Sequence, residues 1–195
     1  MRALWLLGLL SLGSTALADD FVVQPGGENR VVFTSRATIE TFEGKTTRLS
    51  GRLSVDPAHL GDSVFVHLEV DLASLSTGIA KRDEHMRDAH LETKRYPTAV
   101  FDGASLVDSA QAGLAEGKPV SFEAAGTFSL HGVSRRIRIP VTALRTRKGG
   151  LARISFDTTF PVALNDYAIS RPQFLFLKLA DAQEVRVHGV AVAGK

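Results

Sequence analysis

Six titratable side chains crowd one short stretch of this sequence: Arg82, Asp83, His85, Arg87, Asp88 and His90. A histidine beside carboxylates can move protons, and arginines beside it can grip a polar or anionic group. The same residues also suit a solvated surface helix, whose ion pairs contribute little individually. On an α-helix, residues two apart point about 200° apart. Asp83 is therefore badly placed to orient His85 as a general base. His85 and His90 are five apart, about 500°, so their rings should diverge by roughly 140°. A zinc-binding helix places its histidines four apart. The other histidines, His59, His67, His131 and His188, are scattered, and the chain has no cysteine. No metal and no cofactor are expected. Motifs for a nucleophilic serine, a phosphate-binding loop or a zinc protease are absent.

Charge is concentrated again at Arg135, Arg136, Arg138, Arg145, Arg147 and Lys148. Arg136 and Arg138 alternate with Ile137 and Ile139, which reads as the wet face of a strand. Arg135 shares parity with Val133, Ile137 and Ile139, so it is expected at a strand start on a solvated rim. The formal net charge of +2 gives no reason to expect nucleic acid as a partner.

The elements that must position these groups are strands. Residues 63–71 carry the cleanest signal: Val64, Val66, Leu68 and Val70 alternate with Phe65, His67, Glu69 and Asp71. Period-two patterns recur over 29–38, 46–56, 98–107, 120–130, 133–144, 151–160 and 184–192. His131-Gly132 and Lys148-Gly149-Gly150 suit tight hairpins. About eight short strands with short turns predict an all-β antiparallel barrel. Residues 81–95 break the pattern, with acids early and basic residues late, as a short helix would have them. Tyr96-Pro97 ends it. Phe122, Ala124, Gly126 and Phe128 share one parity, and small residues among large ones leave room beside the wall. An eight-stranded barrel is just wide enough either to fill with side chains or to hold a small ligand, and the pattern alone leaves both open.

Met1-Arg2, the apolar residues 3–12 and Ala16-Leu17-Ala18 have the layout of a secretory signal peptide. The apolar run is short of the roughly 20 residues that cross a bilayer. Cleavage is expected after Ala18, leaving one domain over 19–195 in the periplasm or outside the cell. Loss of Arg2 takes the formal net charge from +2 to +1.

Asp71-Leu72-Ala73-Ser74-Leu75-Ser76-Thr77-Gly78, then Lys81-Arg82-Asp83-Glu84-His85-Met86-Arg87, then Tyr96-Pro97-x-x-x-Phe101, resemble the signature of the YceI-like exported polyisoprenoid-binding proteins. Gly126-Thr127-Phe128-Ser129-Leu130-His131-Gly132-Val133-Ser134-Arg135 is similar to that family's Gly-x-Leu-Thr-Leu-x-Gly-Val-Thr-Arg stretch. Phe42-x-Gly44 and Gly51-x-Leu53-x-Val55-Asp56 fit as well. The resemblance covers nearly all of 19–195. It implies a lipocalin-like barrel with a helix near one mouth and an apolar tunnel for an isoprenoid or another long-chain amphiphile. Interior candidates are then Phe33, Phe42, Val64, Val66, Leu68, Phe101, Phe122, Ala124, Gly126, Phe128, Phe156 and Tyr167. Arg82, Asp83, His85 and Arg135 are candidates for the polar mouth. Many members of the family carry Arg-x-Asp-Phe-Gly before the last strand. Here the region reads Leu164-Asn165-Asp166-Tyr167-Ala168-Ile169, a departure at the polar end of the site.

The expected function is that of a carrier for a polyisoprenoid, an isoprenoid quinone or a fatty-acid-like chain. Transient contact with a membrane surface is expected as the lipid enters. The oligomeric state is left open, a homodimer included. Two competing readings are an enzyme acting on a lipid at the mouth, with His85 as base, and a ligand-free stress-response or structural barrel.

Overall fold

The computed structural model describes residues 18–36, 40–60, 64–107, 113–171, 173–174 and 177–194. The expected signal peptide falls on residues 1–18 and so lies, but for Ala18, outside the described residues. The strands are β1 (Asp19–Val23), β2 (Arg30–Arg36), β3 (Thr41–Thr46), β4 (Leu49–Val55), β5 (Val64–Asp71), β6 (Thr98–Val107), β7 (Pro119–Leu130), β8 (Val133–Lys148), β9 (Leu151–Ala163), β10 (Gln173–Phe174), β11 (Leu177–Lys178) and β12 (Ala182–Ala193). Helix α1 (Ala80–His85) continues into a π turn, Met86–His90. Short 3-10 turns occupy Leu72–Ser74 and Leu164–Tyr167.

The barrel closes through the antiparallel order β1-β4-β5-β6-β7-β8-β9-β12, with β12 returning to β1. β12 is long enough to serve two partners. Residues Glu184 to His188 pair with β2, and Ala191 to Ala193 pair with β1. β1 and β2 thus share one wall position, broken at residues 24–29. Asn29, 4% exposed, holds this break. Its side-chain amide donates to the carbonyls of Gln24 and Leu49, and its side-chain oxygen accepts from the Val190 amide. β3 and β4 share the next position. β3 pairs with β2 on one side, and on the other it meets a single bridge between Lys45 and Ser76.

Alternation on β5 is as the sequence predicts. Val64, Val66, Leu68 and Val70 face inward. Phe65 is 53% exposed. Outward-facing His67 bonds Asp102 at 2.5 Å and Glu69 at 3.0 Å, tying β5 to β6 on the wet face. The β7–β8 and β8–β9 hairpins are two-residue turns with both residues at positive φ: His131 and Gly132 at 51° and 77°, Gly149 and Gly150 at 59° and 81°.

Two expectations need correction. Asp19–Val23 and Thr41–Thr46 were not predicted as strands, because an interrupted wall position yields segments too short for a periodic signal. The helix expected over 81–95 is also shorter. The Leu91 amide donates to the Met86 carbonyl, an i→i+5 bond, and Glu92 then turns to φ 45°, so the chain leaves the helix.

Candidate functional site

The barrel encloses a cavity of about 1080 Å³. That is at or above the roughly 300–1,000 Å³ usual for drug-sized ligands. Its floor is formed by Leu53, Val55, Leu60, Val64, Val66 and Leu114. Leu60 and Leu114, each 3% exposed, meet where two loops join through the Leu114 amide and the Pro57 carbonyl, 2.6 Å apart. The polar lining lies at the opposite end, from Glu40 before β3 and from Lys81, Arg82, Glu84, His85, Asp88 and His90 on α1 and the π turn. One end of the cavity is apolar; the other is polar.

Large rings do not fill this interior because three of them lie over glycines on the wall. A Cβ at Gly44 would stand 2.5 Å from Phe33 Cζ, one at Gly126 2.6 Å from Phe101 Cζ, and one at Gly189 2.6 Å from Phe156 Cε2. Each ring occupies the space a neighbouring side chain would have taken, and the lumen stays open.

Phe33, Phe42, Val64, Val66, Leu68, Phe101, Phe122, Ala124, Phe128 and Phe156 line the cavity. Gly126 and Tyr167 do not. Gly126 is covered by Phe101 and by the Gly103 carbonyl of the adjacent strand. Tyr167 is 4% exposed and packs behind Phe128, its ring centroid 5.4 Å away. Burial pushes its phenol above the usual value.

At the mouth, Arg82 and His85 line the cavity, whereas Asp83 and Arg135 do not. Arg82 is fully engaged. Its Nε donates to Thr77 Oγ1 (2.8 Å), its Nη1 to Glu40 (3.0 Å) and its Nη2 to the Thr77 carbonyl (3.3 Å), while the guanidinium lies 4.1 Å from the centre of the Phe42 ring. Asp83 is 6% exposed and turned into the preceding loop. It accepts from Ser76 Oγ (2.7 Å), the Thr77 amide (2.7 Å) and Thr77 Oγ1 (2.6 Å). Burial opposes its charge, but these donors outweigh burial and hold the carboxyl below its ordinary value. Asp83 therefore fastens α1 to the loop. Arg135 donates from Nε to the Asp166 carbonyl (2.8 Å), pairs with the Asp166 carboxylate (3.1 Å) and lies over Tyr167. It braces the Leu164–Tyr167 turn from outside. Ala168, where the related pattern has glycine, sits at φ 53°.

The predicted divergence of His85 and His90 is wrong. Their ring centroids are 4.8 Å apart, edge to face. A π turn bonds i to i+5, so residues five apart return to the same side. Among the described residues, no group of three or more His, Asp or Glu is placed to hold a metal. Sequence reasoning also missed Ser35, Thr158, Leu60 and Leu114 as lining residues. Ser35 shares parity with Val31 and Phe33, and Thr158 with Phe156 and Phe160, a usable signal. Leu60 and Leu114 lie in turns, where no periodicity marks them.

The chain is thus a closed antiparallel barrel with an apolar bore and charged residues at one end. The YceI-like domain matches residues 21–191, and this chain belongs to that family. A UPF0312 protein of Vibrio cholerae is 27% identical over 174 residues, 87% of each chain. A UPF0312 protein of Pseudomonas syringae pv. syringae is 28% identical over 169 residues, 84% of this chain and 83% of that one. Among solved structures, a polyisoprenoid binding domain from Saccharophagus degradans, implicated in plant cell wall breakdown, superimposes with a TM-score of 0.69. It is 22% identical and covers 91% of this chain and 99% of its own. Burkholderia cenocepacia BcnA superimposes with a TM-score of 0.67 at 17% identity, over 84% and 96% of the two chains. These two likenesses concern the fold.

Proposed function

We propose that this chain is an exported carrier that holds a long-chain lipid, an isoprenoid in the first instance, tail-first in the barrel. The observation that carries the reading is the cavity, with its apolar floor and walls and its charged residues at one end only. Such a site suits a molecule with one polar end and a long apolar body. Each buried methylene contributes about 0.8 kcal/mol, so ten contribute about 8 kcal/mol, a micromolar affinity before the cost of association. The solved polyisoprenoid binding domain with the same fold supports the choice of ligand class. Export rests on the leader-like residues 1–18, and loading is expected by brief contact with a membrane surface.

Binding is favoured over catalysis because Asp83 is committed to Ser76 and Thr77 and leaves His85 without a carboxylate to orient it. The experiment is native mass spectrometry of the purified mature protein, followed by organic extraction. A retained or readily taken up long-chain lipid is the expected result. A protein that neither carries nor takes up lipid would overturn the carrier, and chemical turnover of an added lipid would replace it with the enzyme.

A further inference from the structure

Among the described residues, three buried side-chain polar atoms have no hydrogen-bond partner: Ser35 Oγ, Thr158 Oγ1 and His90 Nε2. All three residues line the cavity. The two hydroxyls can each donate or accept, so they place no strict demand on a ligand. His90 does. Its Nδ1 lies 2.9 Å from the Ser170 carbonyl, which only accepts, so Nδ1 carries the proton. The Ser170 hydroxyl is more distant, at 3.4 Å. Burial, followed by the neighbouring His85, lowers the affinity of the ring for a second proton against the pull of the Ser170 carbonyl, so the ring is neutral at neutral pH. Nε2 is then a buried lone pair, lacking a donor, on a ring that lines the polar end of the cavity. Such an orphan is costly unless something supplies the missing hydrogen.

We propose that the polar end of the bound lipid is a hydroxyl, and that it donates a hydrogen bond to Nε2 of His90. This deepens the carrier reading and rests on it. The cationic groups that a phosphate or carboxylate headgroup would seek are mostly occupied: Arg82 by Glu40, Thr77 and Phe42, and Arg135 by Asp166. Lys81 stands exposed on the rim. Ether, ester and quinone oxygens only accept and cannot satisfy His90. An alcohol can.

The test measures binding of geranylgeraniol, its methyl ether and its phosphate ester to the mature wild-type protein and to His90→Phe. The alcohol should bind wild type about tenfold more tightly than the ether, the worth of one buried hydrogen bond. In His90→Phe the two should bind alike. Equal binding of alcohol and ether by wild type, a preference that survives in His90→Phe, or tighter binding of the phosphate ester would each overturn the proposal while leaving the carrier intact. Failure of wild type to bind any of the three would instead remove the carrier reading and this inference with it. Should His90→Phe not fold, a second measurement on wild type decides. The nitrogen resonance of the unprotonated His90 Nε2 should move on adding the alcohol and stay still on adding the ether, and the reverse would refute the assignment.

Discussion

Phe156 and Gly189 face each other across the β9–β12 ladder, and the ring of Phe156 occupies the place of the side chain that Gly189 lacks. The pair gives the wall a large aromatic without narrowing the bore. Gly189→Ala should swing the ring toward the lumen. We expect a modest loss of stability, about 1 kcal/mol, and a several-fold loss of long-chain lipid binding. A variant that melts lower but binds lipid as before would show that the pair stabilises the wall without shaping the cavity.

Ala124 tests the lumen at mid-wall. It is 5% exposed, lines the cavity and shares its face with Phe122 and Phe128. Added methylenes in a solid core cost about 1–3 kcal/mol; in an open bore they displace ligand. Ala124→Leu should abolish uptake of a long-chain lipid while leaving the lipid-free melting midpoint nearly unchanged. A midpoint many degrees lower would show a packed interior at that level. Gly126→Ala does not serve as a milder version, because its new methyl would strike the Gly103 carbonyl and Phe101 rather than enter the cavity.

Asp83 should matter to stability far more than a surface carboxylate. Removing it leaves the donors of Ser76 and Thr77 without their charged acceptor, so Asp83→Ala should cost about 3 kcal/mol in chemical denaturation. The folded-state carboxyl is held below its ordinary 3.8. Its contribution is therefore complete above that value and is lost as pH falls through the folded value. The acid limb of a stability profile should be shallower in Asp83→Ala than in wild type; parallel limbs would contradict this linkage.

His67 should produce a dependence of the opposite sign. Asp102 raises its affinity for a proton above the ordinary 6.5; burial, next in size, opposes this, and Glu69 adds to the rise. A raised folded value means that the stabilisation is complete below 6.5 and is lost as pH climbs through the folded value. The site is solvated, so the effect is small. His90, whose value is lowered, works the other way, with stability rising across 6.5. Comparing melting midpoints of wild type and His67→Gln between pH 5 and 8 separates the two. The stabilisation in wild type over the variant should shrink with rising pH, and a constant difference would refute the linkage.

Most strands that bound the bore were legible because alternation runs along them, as from Val64 to Val70 on β5. What could not be read depended on contacts between distant segments. β1 is short, and it becomes a strand because β4 and β12 offer it both edges. Leu60 and Leu114 line the apolar end from separate loops that meet only in the fold. His85 and His90 were set apart by assuming α-helical spacing, and a single i→i+5 bond reverses that conclusion. Phe101 and Gly126 were both read as interior, but that the ring covers the glycine is a fact of cross-strand register.

The bridge between Lys45 and Ser76 has a consequence for how the cavity is sized. Around the floor, continuous ladders fix the bore through strand number and stagger. Around the mouth, the flank of β3 is tied by the two backbone bonds of that bridge, 2.9 and 3.0 Å, and by the side chains of Asp83 and Arg82 that hold α1 against it. Aperture and bore are therefore set by separate parts of the chain. Substitutions along the Ser76–Arg82 loop retune the entrance, and the tube beneath keeps its calibre.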